Sequence, residues 1–183
     1  MVTSAHRNVT SSSDMEAQQQ LAQQLAGKYM TFKLATEEYG VDILRVREII
    51  GLMDITRVPR TQHFIRGVIN LRGKVIPVVD LRLKFGMDRV EATDQTVIIV
   101  VQWTRRNTTT TMGILVDEVL EVLNVDAEQI EPPPDLNSPG GDDDFILGIG
   151  KADKRVICLL DIERVLRGDE ADVAEALSEE PQG

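Results

Sequence analysis

Apolar residues in this chain fall in short runs broken by polar turns, a spacing that predicts strands rather than long helices. Tyr29, Phe32 and Leu34 mark a strand over Lys28 to Ala35, Glu37-Glu38 marks a turn, and Tyr39 to Ile43 pairs back. Arg45 to Ile50 predicts a helical turn, and Val58-Pro59 an extended stretch, because a proline disfavours helix in the residue before it. Gly67 to Leu71 and Lys74 to Val79 read as two strands joined by an Arg72-Gly73 hairpin turn. Asp80 to Gly86 reads as a short helix with Asp80 as N-cap and Gly86 closing it. After a polar linker at 87–94, Thr96 to Val101 is a fully apolar strand and Thr104 to Thr111 a polar hairpin loop. Met112 to Val116, Val119 to Val125, Phe145 to Gly150 and Arg155 to Leu160 complete the strands, and Asp161 to Leu166 is a last short helix ended by Gly168. Upstream, Ser13-x-x-Glu16 fits a capping box opening a weak helix to Leu25, with Gly27 as its C-terminal stop.

The strand pattern repeats. Shifted by 81 positions, residues 64–81 overlie 145–162 without a gap: Phe64, Ile65, Gly67, Val75, Ile76 and Asp80 meet Phe145, Ile146, Gly148, Val156, Ile157 and Asp161. At an offset of 73, Gly40, Val46, Glu48 and Ile49 meet Gly113, Val119, Glu121 and Val122. The offset grows by 8 because the second copy carries the extra loop NSPGGDDD at 137–144. Short strands in this order close most easily as small barrels, and barrels this small need a shared core. The copies diverge at one hairpin tip, where Asn70-Leu71-Arg72-Gly73 aligns with Lys151-Ala152-Asp153-Lys154 and the charge reverses at the third position, Arg72 against Asp153.

Composition sharpens this. At 183 residues the chain suits one compact unit or two lobes on one core, and 42% hydrophobic residues exclude wholesale disorder. With aromatics at only 4% but 20 Val and 15 Ile, the core must be aliphatic and rich in strands. A single cysteine excludes an internal disulfide or a zinc cluster and suits the cytoplasm. The net charge of −10 argues against nucleic acid, and no apolar run reaches the ~20 residues of a membrane helix. Charge is split: 28–87 carry 11 basic and 6 acidic side chains, whereas 88–183 carry 8 basic and 22 acidic. The expected organisation is an extension at 1–27, flexible apart from its weak helix, a repeated unit over 28–167 divided near 87/88, and an acidic tail at 168–183.

Catalytic chemistry finds little support. There is no G-x-S-x-G, H-E-x-x-H or phosphate loop, and the acidic loop at 142–144 lacks the spaced ligands of a calcium site. His6 falls in the polar N-terminus, His63 reads as a surface or packing residue, and Cys158 reads as an inert core thiol. Asp80 and Asp161 occupy equivalent places and are better explained as helix caps than as a carboxylate pair. Neither a cofactor nor a metal is expected. Glu48 and Arg72 stand out as a polar rim beside an apolar surface at Val46. The strands at 96–101 and 112–125 alternate incompletely, so some of their apolar side chains are expected to face outward as a docking strip.

The segment Tyr39-Gly40-Val41-Asp42-Ile43-x-x-Val46-x-Glu48-Ile49-Ile50, followed by Gly67-Val68-Ile69-Asn70-Leu71-Arg72-Gly73-Lys74-Val75-Ile76-Pro77-Val78-Val79-Asp80-Leu81-Arg82, closely resembles the CheW chemotaxis coupling family. Gly113 to Val119, Ile130 to Pro133 and Leu159 to Asp161 extend the resemblance from about Lys28 to Arg167. The same domain occurs in CheA and CheV, but no kinase, phosphotransfer or receiver region accompanies it in this sequence. The resemblance implies a mainly β fold of two intertwined SH3-like β-barrel lobes sharing a core. It implies a non-catalytic cytoplasmic adaptor, recruited to receptor arrays without inserting in the membrane, that joins methyl-accepting chemoreceptors to the kinase CheA. Val46, Glu48, Arg72 and Gly73 would border the receptor groove, and Val97 and Val119 are candidates for docking the regulatory domain of CheA. The alternatives are a related chemosensory pathway such as surface motility, an enzyme with an unrecognised site at the lobe seam, and an oligonucleotide-binding barrel; the last would need a basic face with stacking aromatics.

Overall fold

A computed structural model describes residues 12–133 and 145–167. The loop at 137–144, the acidic tail and residues 1–11 lie outside the described residues. A helix α1 (Ser12–Leu25) leads into β1 (Gly27–Leu34) and β2 (Glu37–Asp42), then β3 (Val46–Gly51), β4 (Ile65–Leu71), β5 (Lys74–Asp80) and the one-turn α2 (Leu81–Lys84). The second half gives β6 (Val97–Arg105), β7 (Thr108–Val116), β8 (Glu118–Val125), β9 (Ile130–Glu131), β10 (Ile146–Ala152), β11 (Arg155–Leu160) and α3 (Ile162–Val165).

The strands form two sheets, ordered β8-β1-β2-β11-β10-β9 and β3-β6-β7-β5-β4. Exchanging each strand for its repeat partner converts one order into the other, with an isolated Thr56–Val68 bridge standing where β9 stands in the first sheet. Each sheet therefore takes one hairpin from one half and its remaining strands from the other. The exchange is sealed by two parallel pairs, Leu159 opposite Gly40 and Val78 opposite Gly113, which are themselves repeat equivalents. The halves 28–87 and 88–167 are thus units of sequence, not of sheet.

Side-chain alternation then sorts the apolar residues into three clusters. Ile98 and Val100 of β6 point into a cluster with Ile69, Ile76 and Val78, all on the inner face of one sheet, so that sheet curls round its own contents. Ile99 and Val101 point the other way, into a central cluster that also holds Phe32, Leu34 and Val41 from the opposite sheet and Leu160 and Ile162. The unbroken apolar run of β6 is thereby explained: both its faces are covered. The first sheet encloses Tyr29, Val125, Ile157 and Leu159, against which Ala22 and Leu25 of α1 pack. The Tyr29 hydroxyl donates to the Leu25 carbonyl at 2.6 Å, satisfying an orphan acceptor at the helix end.

The repeated sequence signals are repeated contacts. Asp80 accepts from the Leu83 N–H at 3.4 Å and Asp161 from the Arg164 N–H at 3.2 Å, as N-caps do. Their own N–H groups donate to Phe64 and Phe145 carbonyls, each at 2.8 Å. The turns match as well: Arg72 and Gly73 have φ of 52° and 85°, Asp153 and Lys154 of 48° and 66°, the left-handed pair of a tight hairpin.

Two local expectations are corrected. The helical turn expected at Arg45 to Ile50 is a 3-10 turn at Ile43–Arg45, capped by the Asp42 carboxylate on the Leu44 N–H at 2.9 Å; β-branched Val46, Ile49 and Ile50 lie in β3. The polar loop expected at Thr104 to Thr111 is strand on both sides, with only Arg106-Asn107 in the turn. Threonine is polar but β-branched, and the Thr104 and Thr109 hydroxyls bond across the hairpin at 3.1 Å. The first helix also begins at Ser12, one residue before the expected cap.

Gly67 shows why the Phe-Ile-x-Gly motif recurs. At φ 138°, a Cβ there would sit 2.1 Å from the Thr56 carbonyl oxygen, because that strand crosses directly against it. At Gly148 the crossing strand is β9, and the Cβ would meet the Glu131 carbonyl at 2.9 Å. Gly67→Ala is expected to destabilise the fold by about 2–4 kcal/mol, and Gly148→Ala by less. Gly51→Ala, with open space around it, is the control, and urea denaturation gives all three values.

Candidate functional site

The hairpin tip between β4 and β5 folds back over β3. There the Arg72 guanidinium pairs with the Glu48 carboxylate. The Asn70 side chain accepts from the Gly73 N–H at 2.9 Å, so the turn that presents Arg72 is held from within. Val46 lies two residues before Glu48, half-buried against the central cluster, with a register shift between them at Arg47. Of the four residues singled out from the sequence, Glu48, Arg72 and Gly73 thus meet at the hairpin tip, whereas Val46, paired with Val101, faces the central cluster on the side of β3 opposite to Glu48, which is paired with Val100. The Arg72 side chain remains 71% exposed, so the pair is a surface feature with little weight in stability.

A separate polar chain crosses the same sheet, from β3 through β6 and β7 to β5. Arg47 donates to the Gln102 side chain at 3.4 Å, Gln102 donates to the Thr111 hydroxyl at 3.0 Å, and Lys74 donates to that hydroxyl at 3.1 Å. The other sheet answers with a different version. Arg155 stands where Lys74 stands and binds Glu38 at 2.9 Å and Glu121 at 2.5 Å. These hydrogen bonds, Glu38 first and then Glu121, push its pKa up and outweigh desolvation. Glu121 is the counterpart of Glu48, but its partner is this strand arginine and not the hairpin tip, where Asp153 occupies the place of Arg72. One scaffold therefore presents two differently paired polar surfaces.

Residues 28–170 match the CheW-like domain family. The chain belongs to that family. It is 41% identical over 143 residues to "Chemotaxis protein CheW" of Klebsiella aerogenes, covering 78% of this chain and 83% of the relative. It is 38% identical over 145 residues to "Probable chemotaxis protein CheW" of Rhizobium etli, covering 79% and 90%. The crystal structure of scaffolding protein TtCheW from Thermoanaerobacter tengcongensis superposes with a TM-score of 0.69 at 36% identity, covering 80% of this chain and 96% of that one. The mainly β fold of two intertwined lobes on one core is the fold of this CheW-like family.

Within this CheW-like domain, Val97 of β6 and Val119 of β8 are both half-buried and pack on the central cluster, from different sheets. The apolar side chains that do face solvent on β3, β5, β8 and β11 are Ile49, Val75, Val122 and Val156, two repeat-related pairs. Cys158 is half-buried; burial, then the nearby Glu37 carboxylate, push its thiol up and disfavour the reactive thiolate. His63 is exposed and stacks edge-on against Phe64 at 5.4 Å between centroids. Among the described residues no group of three or more potential ligands could hold a metal, and no helix is long and apolar enough to cross a membrane.

Sequence reasoning missed the tie between α2 and the β7–β8 corner. Arg82 grips Asp117 with two parallel bonds of 2.7 Å, and the Asp117 carboxylate also accepts from the Ala35 N–H at 2.8 Å. Both residues stand in the family-like segments, but 35 positions of separation hide the pairing. Burial alone would raise the Asp117 carboxyl; the Arg82 and Ala35 hydrogen bonds and the Arg82 charge outweigh it and hold the pKa below the ordinary value. A depressed carboxyl stabilises the fold above its ordinary pKa and loses that contribution as pH falls through the folded value. Asp117→Asn is therefore expected to cost about 1–3 kcal/mol at pH 7, the gap to the parent closing below about pH 4. Urea titrations from pH 7 to 3 check it.

Proposed function

We propose that this protein is a non-catalytic adaptor that couples chemoreceptors to the histidine kinase CheA, acting in the cytoplasm at receptor arrays. The observation that carries the reading is the unequal decoration of an equal scaffold: a Glu48–Arg72 pair from hairpin tip to β3 in one sheet, and in the other a Glu121–Arg155 pair with Asp153 at the tip. A bridging protein needs two surfaces that its partners do not confuse, and charges arranged differently on a shared frame, Arg72 at one tip and Asp153 at the other, supply them. Relatives named as chemotaxis CheW proteins and a CheW described as a scaffolding protein support the same role. The receptor contacts are assigned to Val46, Glu48, Arg72 and Gly73, and the regulatory domain of CheA to the face around Val97 and Val119.

Arg72→Asp is expected to weaken receptor binding about tenfold at low salt with the melting temperature held within about 2 °C, since the side chain is exposed. The exchange Glu48→Arg with Arg72→Glu keeps the pair and reverses its sense. Binding that stays weak shows that the receptor reads the sign; full recovery shows that the pair only shapes the hairpin and removes it from the interface.

On the kinase side, Val119→Ala trims a half-buried contact without adding charge. It is expected to cost about 1 kcal/mol of stability, to weaken CheA binding several-fold and to spare the receptor. Affinities for both partners, measured on one preparation well below its melting temperature, decide it; an unchanged CheA affinity moves that interface elsewhere.

A further inference from the structure

The stretch between β3 and β4 gathers positive charge that the rest of the molecule does not use. A cavity of about 430 Å³ opens among Arg57, Arg60, Thr61, His63 and Arg66. A second, of about 260 Å³, shares Arg57, His63 and Arg66 and extends to Arg89. No acidic side chain lines either cavity among the described residues. Asp80 accepts from Arg66 at 3.3 Å, but it also caps α2, and its side chain is almost wholly buried. Arg57, Arg60 and Arg89 make no hydrogen bond or ion pair with any described residue.

The repeat argues that the cluster is not demanded by the frame: at the offset of 81, Leu147 stands in β10 where Arg66 stands in β4, and the strand forms without that cation. In a chain of net charge −10, gathering Arg57, Arg60, Arg66 and Arg89 costs mutual repulsion that a bound anion would relieve.

We propose that this cleft binds a small polyphosphate anion, of the inorganic triphosphate or nucleoside triphosphate class. Guanidiniums grip phosphate oxygens in pairs, and two cavities that share Arg57, His63 and Arg66 suit several linked phosphates better than one. The larger cavity has the volume of a small-molecule site. A long nucleic acid would meet the negative charge of the remaining surface.

Calorimetric titration of the full chain at low ionic strength, with sodium triphosphate, ATP and orthophosphate in separate arms, tests this. The expected result is one saturable site for triphosphate and for ATP, with orthophosphate weaker by about tenfold or more. Arg57→Gln with Arg60→Gln should weaken triphosphate about tenfold or more, while Arg105→Gln with Arg106→Gln, which removes the same charge elsewhere, leaves it within about twofold. All four side chains are exposed, and unchanged melting curves confirm that both variants fold. Absence of saturable binding, equal loss in both variants, orthophosphate as tight as triphosphate, binding of ATP without triphosphate, or a polyglutamate peptide binding equally well each overturns the proposal. Receptor and kinase binding are not part of the readout, so its failure leaves the adaptor reading intact.

Discussion

Neither half of this chain can bury its own strands. The β1–β2 hairpin pairs with no other strand of its own half and completes the sheet of β8 to β11, while the β6–β7 hairpin completes the sheet of β3 to β5. The two parallel pairings that join the exchanged hairpins, at Gly40–Leu159 and Gly113–Val78, span long stretches of chain, so they form only when the whole unit condenses. The central cluster follows from that exchange. It draws Phe32 and Leu34 from one sheet and Ile99, Val101 and Ile114 from the other, and all five are almost completely buried. Two curled sheets of this size hold only small apolar clusters of their own, so the shared layer supplies the burial that makes the unit stable.

The exchange also explains where the backbone constrains the side chain most tightly. Gly67 and Gly148 are needed because a crossing strand runs directly over each of them, and Asp80 and Asp161 because each feeds a strand into a one-turn helix whose first N–H groups need an acceptor. The bulges fall at matching places too, between Ile65 and Gly67 and between Ile146 and Gly148. In the first sheet, Thr31 absorbs the shift between Met30 and Phe32: its buried hydroxyl donates to the Glu121 carbonyl at 2.6 Å and accepts from the Glu121 N–H at 3.2 Å. An irregularity buried without such a partner would leave backbone groups unsatisfied.

Local order was legible in the sequence where signal and contact were both local. The Arg72-Gly73 turn, the Asp80 and Asp161 caps and the stop at Gly86 are each written within a few residues, and the offset of 81 exposes the duplication. The Thr-rich hairpin was read as a loop because hydropathy sees threonine as polar, whereas cross-strand pairing responds to its branched Cβ. Strand exchange left no mark, since β2 reads the same whether its neighbour is β3 or β11. Around the tip, Arg72 stands out in the sequence because its counterpart is Asp153, and Glu48 only because it falls near the end of a strand, since it meets another glutamate in the repeat. The Arg82–Asp117 clamp does not stand out, because nothing in either local pattern points to the other. Apolar continuity in β6 suggested an outward strip; the structure spends it on two inward faces.

Duplication on a shared core places its constraints unevenly, and that unevenness is what a bridging protein can use. Positions facing the central cluster answer to both sheets at once, so the two copies keep matching aliphatic residues there, Val79 against Leu160 and Leu81 against Ile162. Hairpin tips answer to nothing but their own turn. Arg72-Gly73 and Asp153-Lys154 satisfy the same left-handed geometry with opposite charge at the first position, so the turn did not select the sign. The difference between the two tips therefore arises at a site where change costs the fold almost nothing. A partner that docks on Arg72 at one tip meets Asp153 at the equivalent tip, although the backbone beneath is nearly the same, and repulsion at the wrong tip discriminates as effectively as attraction at the right one.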